Sequence, residues 1–294
     1  MDLNLKGKRA IVTGSTAGIG AEIARVLAAE GASVVVHGRN AERANKFAAE
    51  IRAEGGAVAV ALGELTDDGE AERVAREAEK AFGGVDILVN NAGSYPITAW
   101  WDTPPDVWLE TYNTDVVAGV RLVKLLVPGM IERGWGRVIQ IASRAATQGT
   151  ANFFPQYSSA KAGQLRIASS LAMELARTGV TSNAISPGAV ATDTFKDLYI
   201  QRARKEGRST DWADVEQWWI EQFMPGVPVA RMLTPREIAD LAAFLASPSA
   251  DAITGCDFVI DGGLGIAGFK RQPSHPPKSA SVSDAERSQA SMAR

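Results

Sequence analysis

The feature that most constrains the fold of this chain is a regular alternation between short apolar runs and longer helical patterns. The first run, residues 10–12, precedes apolar residues that recur at i, i+4, i+7 and i+8 from Ile19, the spacing of one helix face. Similar runs occur at 34–36, 58–62, 87–89, 138–141, 181–185 and 258–260. Strands that are buried on both faces and separated by helices are typical of parallel sheets. We therefore expect an α/β fold, a doubly wound parallel sheet of about seven strands with helices on both faces.

Length and composition indicate one domain followed by a tail. The chain has 294 residues, of which 46% are hydrophobic and 22% are charged, values that suit a globular protein with a sizeable core. Residues 1–268 are predicted to form a single folded domain, which includes a helical insertion at about 194–228 where the alternation is interrupted. Residues 269–294 are rich in Ser, Pro and charged side chains and are predicted to be a disordered tail.

Charge and cysteine content exclude several classes of protein. The net charge of −3 gives no general attraction to nucleic acid or to a membrane surface. Cys256 has no partner for an intramolecular disulfide, which favours a reducing compartment. Because residues 1–6 lack an apolar signal core and no run is long enough to span a membrane, we expect a cytoplasmic protein. No cluster of His, Cys and carboxylate residues predicts a metal site.

A glycine-rich segment, TGSTAGIG at residues 13–20, lies between the first predicted strand and the first predicted helix. Glycines there let the backbone turn sharply and approach a diphosphate, while the helix N-terminus offers unpaired N–H groups to the anion. The spacing is G-x-x-x-G-x-G rather than the G-x-G-x-x-G dinucleotide fingerprint, so a plain structural turn is the alternative. The residues of this segment predicted to bind the cofactor are Gly14, Ser15, Thr16, Gly18, Ile19 and Gly20.

The end of the second predicted strand bears on which dinucleotide would bind. A site that prefers NAD usually places Asp or Glu in this region to bind the ribose. Here Arg39 occupies the region, and a guanidinium pairs well with a 2′-phosphate. We therefore predict a preference for NADP(H), with NAD(H) possible and with Ser15 as an additional hydroxyl donor; an ordinary surface role for Arg39 is the alternative. His37 is interpreted as a strand-end or loop residue.

Tyr157 and Lys161 lie four residues apart in a helix predicted at about 154–177, so they share one helix face. A nearby ammonium stabilises a phenolate and lowers a tyrosine pKa that starts at about 10. Tyr157 is therefore predicted to donate or accept a proton near neutral pH. Taken alone, such a pair is more often structural, so it is informative only together with other motifs.

These motifs occur together and in a fixed order. The glycine turn and the tyrosine–lysine pair are accompanied by Asn90-Asn91-Ala92-Gly93 after the fourth predicted strand, Ser143 after the fifth and Pro187-Gly188 after the sixth. In this combination the chain resembles the short-chain dehydrogenase/reductase family over about residues 5–263. It is most similar to the single-domain branch that includes the 3-oxoacyl-carrier-protein reductases. The resemblance implies a Rossmann-type catalytic domain that binds NAD(P).

The resemblance also implies roles for individual residues. Tyr157 matches the catalytic acid/base, Lys161 the residue that binds the nicotinamide ribose and lowers the tyrosine pKa, and Ser143 the hydroxyl that holds the substrate oxygen. The other residues that match cofactor contacts are Glu64, Leu65, Asn90, Asn91, Ala92, Gly93, Pro187, Gly188, Val190 and Thr192. In such a site, hydrogen bonds from Ser143 and Tyr157 would stabilise the negative charge that develops on the carbonyl oxygen.

Two positions depart from the family's pattern. An asparagine in the long central helix, predicted here at about 106–133 with a bend at Pro128, usually organises a water-mediated proton relay to the lysine, and Asp115 stands at that position. Ionised, Asp115 cannot donate a hydrogen bond, and near Lys161 it would raise the pKa of the lysine. A relay that works through the carboxylate and a merely tolerated replacement are both open. The second departure is Glu64, where the family commonly has Asp in contact with the adenine.

Loops at the carboxyl ends of the strands should determine the substrate. They are rich in aromatic residues, namely Tyr95, Trp100, Trp101, Phe153, Phe154, Trp212, Trp218 and Trp219. Tyr95, Phe153 and Phe154 are the predicted substrate contacts, which favour a hydrophobic or aromatic substrate. Packing of the insertion or of a subunit contact is the alternative. A basic run in the insertion, Arg202, Arg204, Lys205 and Arg208, suits either a carboxylate or acidic carrier, or a solvated helix face.

Together these observations predict an NADP(H)-dependent oxidoreductase that transfers hydride between nicotinamide and a ketone or secondary alcohol, with Tyr157 as acid/base. An NAD-dependent dehydrogenase, a 3-oxoacyl-thioester reductase, and an isomerase or lyase with the same tyrosine are alternatives. A non-catalytic NAD(P)-binding scaffold or sensor is the non-enzymatic alternative, against which the intact Ser143, Tyr157 and Lys161 argue. The resemblance further implies a homotetramer or homodimer, and a small-molecule substrate.

Overall fold

A parallel sheet forms the centre of the protein in the computed structural model, which describes residues 2–95, 97–148 and 154–267. Its strands are β1 Arg9–Val12, β2 Ser33–Gly38, β3 Val58–Leu62, β4 Ile87–Asn90, β5 Gly136–Ile141, β6 Val180–Pro187 and β7 Asp257–Ile260. They are arranged in the order β3-β2-β1-β4-β5-β6-β7, and every neighbouring pair is parallel. The predicted seven-stranded, doubly wound sheet is confirmed.

Helices connect the strands and cover both faces of the sheet. They are α1 Gly18–Ala29, α2 Ala41–Ala53, α3 Asp68–Phe82, α4 Pro105–Tyr112, α5 Ala118–Glu132, α6 Pro155–Glu174, α7 Asp193–Lys205, α8 Trp212–Phe223, α9 Pro235–Ala246 and α10 Leu264–Ala267. One apolar cluster contains residues of α1, α2 and α9, and the other contains residues of α3 and α5. In β1, Val12 belongs to the first cluster and Ile11 to the second, since successive side chains of a strand point to opposite faces. Burial on both faces explains why this run has no polar break.

The long central helix differs from the prediction. In place of one helix at about 106–133, the structure has α4, a π-helical segment Asn113–Val117, and α5, which contains Pro128. A π-turn inserts one residue into the α-helical ladder, and such turns are frequent at functional sites. This one carries Asp115, whose side chain is buried. Hydrophobic periodicity predicts a helix here but does not reveal a local change in its hydrogen-bond ladder.

The C-terminal part of the described chain contains a helix that the sequence analysis did not predict. Helix α9 begins with a capping box, in which the Thr234 side chain accepts from the Glu237 N–H and the Glu237 side chain accepts from the Thr234 N–H. Thr, Pro, and Glu at these positions are a recognisable helix start. The segment predicted as a helical insertion, 194–228, contains α8 and most of α7, while the predicted tail, 269–294, lies outside the described residues. Within the part that is described, no helix is long and apolar enough to cross a membrane.

The order of the strands determines where a ligand can bind. Strand β1 pairs with β2 on one side and with β4 on the other, so the direction in which the sheet is built reverses between β1 and β4. Ligands of doubly wound sheets bind in the crevice outside the carboxyl ends of the strands at such a switch point. The glycine turn follows β1 and the segment Asn91-Ala92-Gly93 follows β4, so the two predicted motifs meet at this crevice.

Candidate active site

The glycine turn is bound to the segment after β4 by hydrogen bonds. Thr13 Oγ1 accepts from the backbone N–H groups of Asn91 and Ala92, both at 2.9 Å. Asn91 Nδ2 in turn donates to the carbonyl oxygens of Thr13 and Gly14 at 2.9 and 3.2 Å. A Cβ at Gly20 would lie 2.3 Å from Asn91 Nδ2, so only glycine permits this close approach. Sequence reasoning did not select Thr13 as a functional residue, because its partners lie far along the chain.

His37 holds the same turn from the side of β2. The Gly14 N–H donates to His37 Nδ1 at 3.2 Å, and the backbone N–H of His37 donates to Ser15 Oγ at 3.0 Å. Since Nδ1 accepts, Nε2 carries the ring proton and donates to the Gly63 carbonyl at 3.2 Å. Burial lowers the pKa of His37 from 6.5 to about 4, so the ring is neutral at physiological pH. His37 therefore does more than end a strand, because it links the glycine turn to the loop after β3.

The residues predicted to bind a 2′-phosphate and the adenine occupy different environments. Ser15 is fully buried and its Oγ accepts from the backbone N–H of His37, and its role as a donor to the phosphate stays a prediction. Arg39 is 78% exposed and donates from Nη1 to Glu64 Oε2 at 2.9 Å. Glu64 thus contacts Arg39 directly, and the side chain of Leu65 packs into the core. Of this set, Arg39 is the side chain whose exposure suits a phosphate contact.

A cavity of about 460 Å³ extends from the glycine turn to a group of aromatic rings. The predicted cofactor and catalytic residues that line it are Ile19, Asn91, Gly93, Ser143, Tyr157, Pro187, Gly188, Val190 and Thr192. The aromatic residues that line it, hereafter the aromatic wall, are Tyr95, Phe154, Phe195, Tyr199, Trp219 and Phe223. The structure therefore brings predicted residues from the ends of β1, β4, β5 and β6 to one cavity. Asn90 points elsewhere, since its Nδ2 lies 3.5 Å from the Gly119 carbonyl in α5.

Tyr157 lies in the first turn of α6 and shares the cavity with Ser143, which follows β5. Burial raises the pKa of Tyr157 above its ordinary value, and a hydrogen bond with Ser143 opposes that rise. The sequence predicted a lowered pKa because of Lys161, but the lysine Nζ lies 5.4 Å from the centre of the tyrosine ring. The rings of Tyr95 and Phe154 pack edge-on against Tyr157 at 5.1 and 5.4 Å. These surroundings favour the neutral phenol, the form that can donate a proton to a carbonyl oxygen.

Lys161 is almost completely buried behind the tyrosine. Its Nζ donates to the Ile141 carbonyl and to Gln164 Oε1, both at 2.9 Å, and lies 3.9 Å from Asp115 Oδ2. Burial lowers the pKa of Lys161, and the opposing effect of Asp115 is smaller. The predicted rise of this pKa is therefore corrected: the carboxylate acts in the expected direction, but desolvation of the ammonium outweighs it.

Asp115 connects the π-helical segment to the loop after β4. Its Oδ1 accepts from the backbone N–H and the hydroxyl of Ser94 at 2.7 and 3.0 Å. Burial raises the pKa of Asp115, while Lys161 and Ser94 act in the opposite direction. Oδ2 has no hydrogen-bond partner among the residues that the structure describes. Asn113 faces away from this site, since its Nδ2 donates to the Thr66 carbonyl at 3.3 Å.

The aromatic wall only partly matches the predicted substrate residues. Tyr95 and Phe154 line the cavity, whereas Phe153 lies outside the described residues. Of the other aromatic residues that the sequence analysis named, Trp219 lines the cavity, Trp100 and Trp101 are about half exposed, and Trp212 and Trp218 pack around α7 and α8. The residues missed were Phe195, Tyr199 and Phe223. Phe195 and Tyr199 are four residues apart on α7, a spacing that could have signalled a shared face.

The basic run of the insertion pairs within its own segment. Arg202 Nε and Arg208 Nη2 each lie 2.8 Å from a carboxylate oxygen of Glu206. Arg208 also stacks on the ring of Trp218, with its guanidinium carbon 3.5 Å from the ring centre. Neither arginine lines the cavity, so the solvated helix face describes this run better than a substrate contact.

Comparison with known proteins establishes the family. The family described as short chain dehydrogenase matches residues 8–203, more than half of the chain. The chain belongs to this family. The predicted enzyme class is confirmed with it, and this short chain dehydrogenase is an oxidoreductase.

Relatives of this short chain dehydrogenase match it along nearly their whole length. It is 38% identical to the D-beta-hydroxybutyrate dehydrogenase of Cupriavidus necator, over 88% of this chain and 98% of the relative. It is 35% identical to the 3-oxoacyl-acyl-carrier-protein reductase FabG of Vibrio cholerae, over 89% and 99% of the two chains. The solved structure of L-sorbose reductase from Gluconobacter frateurii, complexed with NADPH and L-sorbose, has a TM-score of 0.84 and 31% identity, covering 90% of this chain and 98% of that one. These similarities confirm the predicted family and its Rossmann-type fold.

Proposed function

We propose that this short chain dehydrogenase transfers a hydride between NADP(H) and a ketone or secondary alcohol that bears an aromatic or apolar substituent. The observation that carries the proposal is the shared cavity, which joins Ile19 at the end of the glycine turn, Ser143, Tyr157 and the aromatic wall. A dinucleotide at the turn and a carbonyl beside Tyr157 would therefore meet in one cavity. Its volume, about 460 Å³, lies within the usual range for small-molecule sites.

The residues at the turn fit a dinucleotide diphosphate. A Cβ at Gly14 would lie 2.9 Å from the Ala92 Cα, and Gly18 has a φ of +59°, so both positions favour glycine. Ala17, the N-cap of α1, provides no side-chain hydrogen bond to the first turn of the helix. The N–H groups of that turn are thus available to an anion. On the nicotinamide side, Pro187, Gly188 and Thr192 would contact the cofactor.

The chain's own residues supply the proton and the alignment. A bound nicotinamide would supply or accept the hydride, which is the redox part of the reaction. The phenol of Tyr157 would donate its proton to the substrate oxygen as negative charge develops there, and Ser143 would hold that oxygen by a second hydrogen bond. Lys161, held by Ile141 and Gln164, would bind the ribose and place positive charge near the phenolate that forms.

The preference for NADP(H) is supported by Arg39. Its side chain is largely exposed beyond the end of β2, where a 2′-phosphate would lie, and a guanidinium can bind phosphate by two parallel hydrogen bonds. Glu64 now occupies one of these donors, so phosphate binding would have to displace the carboxylate or use the remaining donors. A preference for NADPH that falls in Arg39→Ala would support this assignment.

The substrate class follows from the aromatic wall. Phe195, Tyr199 and Trp219 form a mutually packed group, with ring centres 4.5 to 5.9 Å apart. Rings of this kind bury an apolar or aromatic substituent by dispersion and edge-to-face contacts.

A cytoplasmic location and a homotetrameric or homodimeric assembly remain predictions from the sequence.

The proposed function is tested by NADPH and NADH oxidation with aromatic, aliphatic and acyl-thioester ketones. We expect turnover with NADPH and an aromatic ketone, and a loss of kcat by about 10²- to 10⁴-fold in Tyr157→Phe, because the general acid is removed. The matched control is Tyr112→Phe, which removes the same hydroxyl from a residue outside the cavity. Full activity in Tyr157→Phe, or no oxidation of either cofactor with any ketone, would refute the proposal.

A further inference from the structure

Gln164, on the helix that carries Tyr157, connects Lys161 to the π-helical segment. Its Oε1 accepts a hydrogen bond from Lys161 Nζ at 2.9 Å, and its Nε2 donates to the backbone carbonyl of Asp115 at 2.7 Å. The residue is 1% exposed, so both bonds are shielded from water. One neutral amide therefore bridges a buried ammonium and a backbone carbonyl on another element.

The packing of α6 explains why this bridge can form. At Gly163, a Cβ would lie 3.3 Å from Tyr112 Oη and 3.5 Å from Val116 Cγ2, so the helix lies close to α4 and the π-helical segment. Gln164 is the next residue, and this close approach brings its amide within reach of Asp115. A π-turn alters the regular ladder of a helix, which makes its carbonyls suitable partners for side chains.

The surroundings of the Lys161 ammonium define what Gln164 contributes. Two of the three N–H donors go to neutral acceptors, the Ile141 carbonyl and Gln164 Oε1. The titratable groups nearest to Nζ are Asp115, with Oδ2 at 3.9 Å, and Tyr157, whose ring centre is 5.4 Å away. Hydrogen bonds to the charged form of a buried group favour that form. Gln164 thus both directs the ammonium and supports its charge.

We propose that Gln164 is a positioning residue for the reaction, because its side chain ties the Lys161 ammonium to the π-helical segment and holds it beside Tyr157. The inference rests on the proposed function, in which Lys161 acts near the tyrosine. In this proposal the side-chain amide of Gln164 connects the π-helical segment to Lys161. A side chain at position 164 must accept from Lys161 and donate to Asp115 at the same time, which glutamine does and a carboxylate or an apolar group does not.

The first test is Gln164→Met, which keeps the length of the side chain and removes both hydrogen bonds. We expect kcat to fall by about 10- to 100-fold, the range for losing a hydrogen bond to a charged group. The KM for the ketone should stay within about twofold, and the alkaline limb of the kcat profile should move to lower pH, because the ammonium loses an acceptor. A kcat and a pH profile that both match the wild type would overturn the proposal.

The second variant, Gln164→Glu, separates the two bonds. The carboxylate still accepts from Lys161 but cannot donate to the Asp115 carbonyl. We expect the alkaline limb to stay at or above its wild-type pH, while amide exchange of the segment 113–117 becomes faster. If the limb falls as far as in Gln164→Met, an acceptor at position 164 does not support the charge of Lys161, and the proposal is wrong.

Gln140→Met serves as a matched control, and the titration of Lys161 serves as a readout that does not require turnover. Gln140→Met makes the same change at another buried glutamine, on β5, and should keep the wild-type kcat and pH profile. In cofactor-free protein labelled with [15N]lysine, the titration midpoint of the Lys161 Nζ resonance should be lower in Gln164→Met than in the wild type. An unchanged midpoint would contradict the proposal.

The proposed function and the positioning role of Gln164 can be refuted separately. If the wild type oxidises no nicotinamide cofactor with any ketone but the Lys161 midpoint still shifts in Gln164→Met, the proposed function fails and the contact remains. If the wild type is active while Gln164→Met matches it in kcat, pH profile and midpoint, the positioning role fails and the proposed function stands.

Discussion

The glycine turn and the aromatic wall bound the same cavity, yet they are held in different ways. The turn is fixed by directional hydrogen bonds with backbone groups, in which the Thr13 and His37 side chains accept and the Asn91 side chain donates. The wall is held by ring-to-ring contacts among Phe195, Tyr199 and Trp219, which have no single required geometry. A directional network tolerates little change, whereas an apolar surface can be reshaped by repacking.

This contrast suggests that the two regions have different functions, one in cofactor binding and the other in substrate binding. The part that would bind the invariable cofactor is built from backbone and buried polar groups. The part that would contact the substrate is built mostly from side chains on α7 and α8, outside the strand-and-helix alternation, together with Tyr95 and Phe154. Substitutions in the turn should therefore affect cofactor binding, and substitutions in the wall should affect the choice of substrate.

The largest expected effect is that of Gly20→Val on cofactor binding. The new Cβ would lie 2.3 Å from Asn91 Nδ2 and 2.6 Å from the Gly14 carbonyl, and neither atom can retreat without breaking the hydrogen bond between them. We expect the Kd for NADPH to rise by about 100-fold or more. Gly69→Ala, where the nearest atom is 3.4 Å away, is the control and should bind normally. A folded Gly20→Val protein with wild-type Kd would break the contrast between the two regions.

The next effect is the pH dependence that His37 gives to the turn. Its pKa is 6.5 in the unfolded chain and about 4 in the folded protein, so the unfolded state binds more protons between these values. The stabilisation is fully present above pH 6.5 and is lost as the pH falls towards 4, a difference of about 3 kcal/mol. Protonated Nδ1 can no longer accept the Gly14 N–H.

Chemical denaturation at several pH values measures this contribution. The free energy of unfolding of His37→Gln should depend less on pH between 6.5 and 4 than that of the wild type. His275→Gln removes the other histidine of the sequence and should keep the wild-type dependence. Equal slopes for wild type and His37→Gln would show that His37 does not couple the turn to pH.

A smaller effect is expected in the aromatic wall. Phe195→Leu removes a ring that contacts Tyr199 and Trp219 but keeps an apolar side chain. The KM for an aromatic ketone should rise by about tenfold, with the Kd for NADPH unchanged. Trp100→Leu removes an exposed ring outside the cavity and should leave both constants unchanged. A parallel loss of NADPH affinity in Phe195→Leu would mean that the two regions are not separable.

The smallest effect concerns the exposed pair of Arg39 and Glu64. Arg39→Ala should reduce the preference for NADPH over NADH by about fivefold, since the contact is solvent-exposed. Glu64→Gln should act in the opposite direction, because it releases the guanidinium for phosphate. The ratios of kcat/KM for the two cofactors measure both. Unchanged ratios would mean that other residues discriminate between the two cofactors.

The predictable residues are those whose signal is local. Gly14 follows a strand, Gly18 and Gly20 lie in the first turn of the next helix, and Tyr157 and Lys161 lie four residues apart on one helix. Their arrangement therefore follows from neighbouring sequence. The strands were equally predictable, because a strand that is buried on both faces of the sheet consists of consecutive apolar residues. Helix α9 was missed although Thr234 and Glu237 formed a visible capping box.

Residues whose partners are distant in sequence could not be predicted. Thr13 bonds to Ala92, 79 residues away, and Gln164 to Asp115, 49 residues away. The pKa directions of Tyr157 and Lys161 depended on burial, which the helix spacing does not show. The predicted effect of one charge on another was outweighed by desolvation of both groups.

The sequence alone determined the layered α/β architecture and the glycine turn, and it predicted the side chains proposed to react, since these depend on periodicity and on short spacings. Tertiary structure alone decided that His37 holds the turn, that Gln164 holds Lys161, and that Phe195 and Tyr199 complete the aromatic wall. The physical reason is that hydrogen bonds and ring contacts require proximity in space, and only the closed fold brings segments that are distant along the chain within that range.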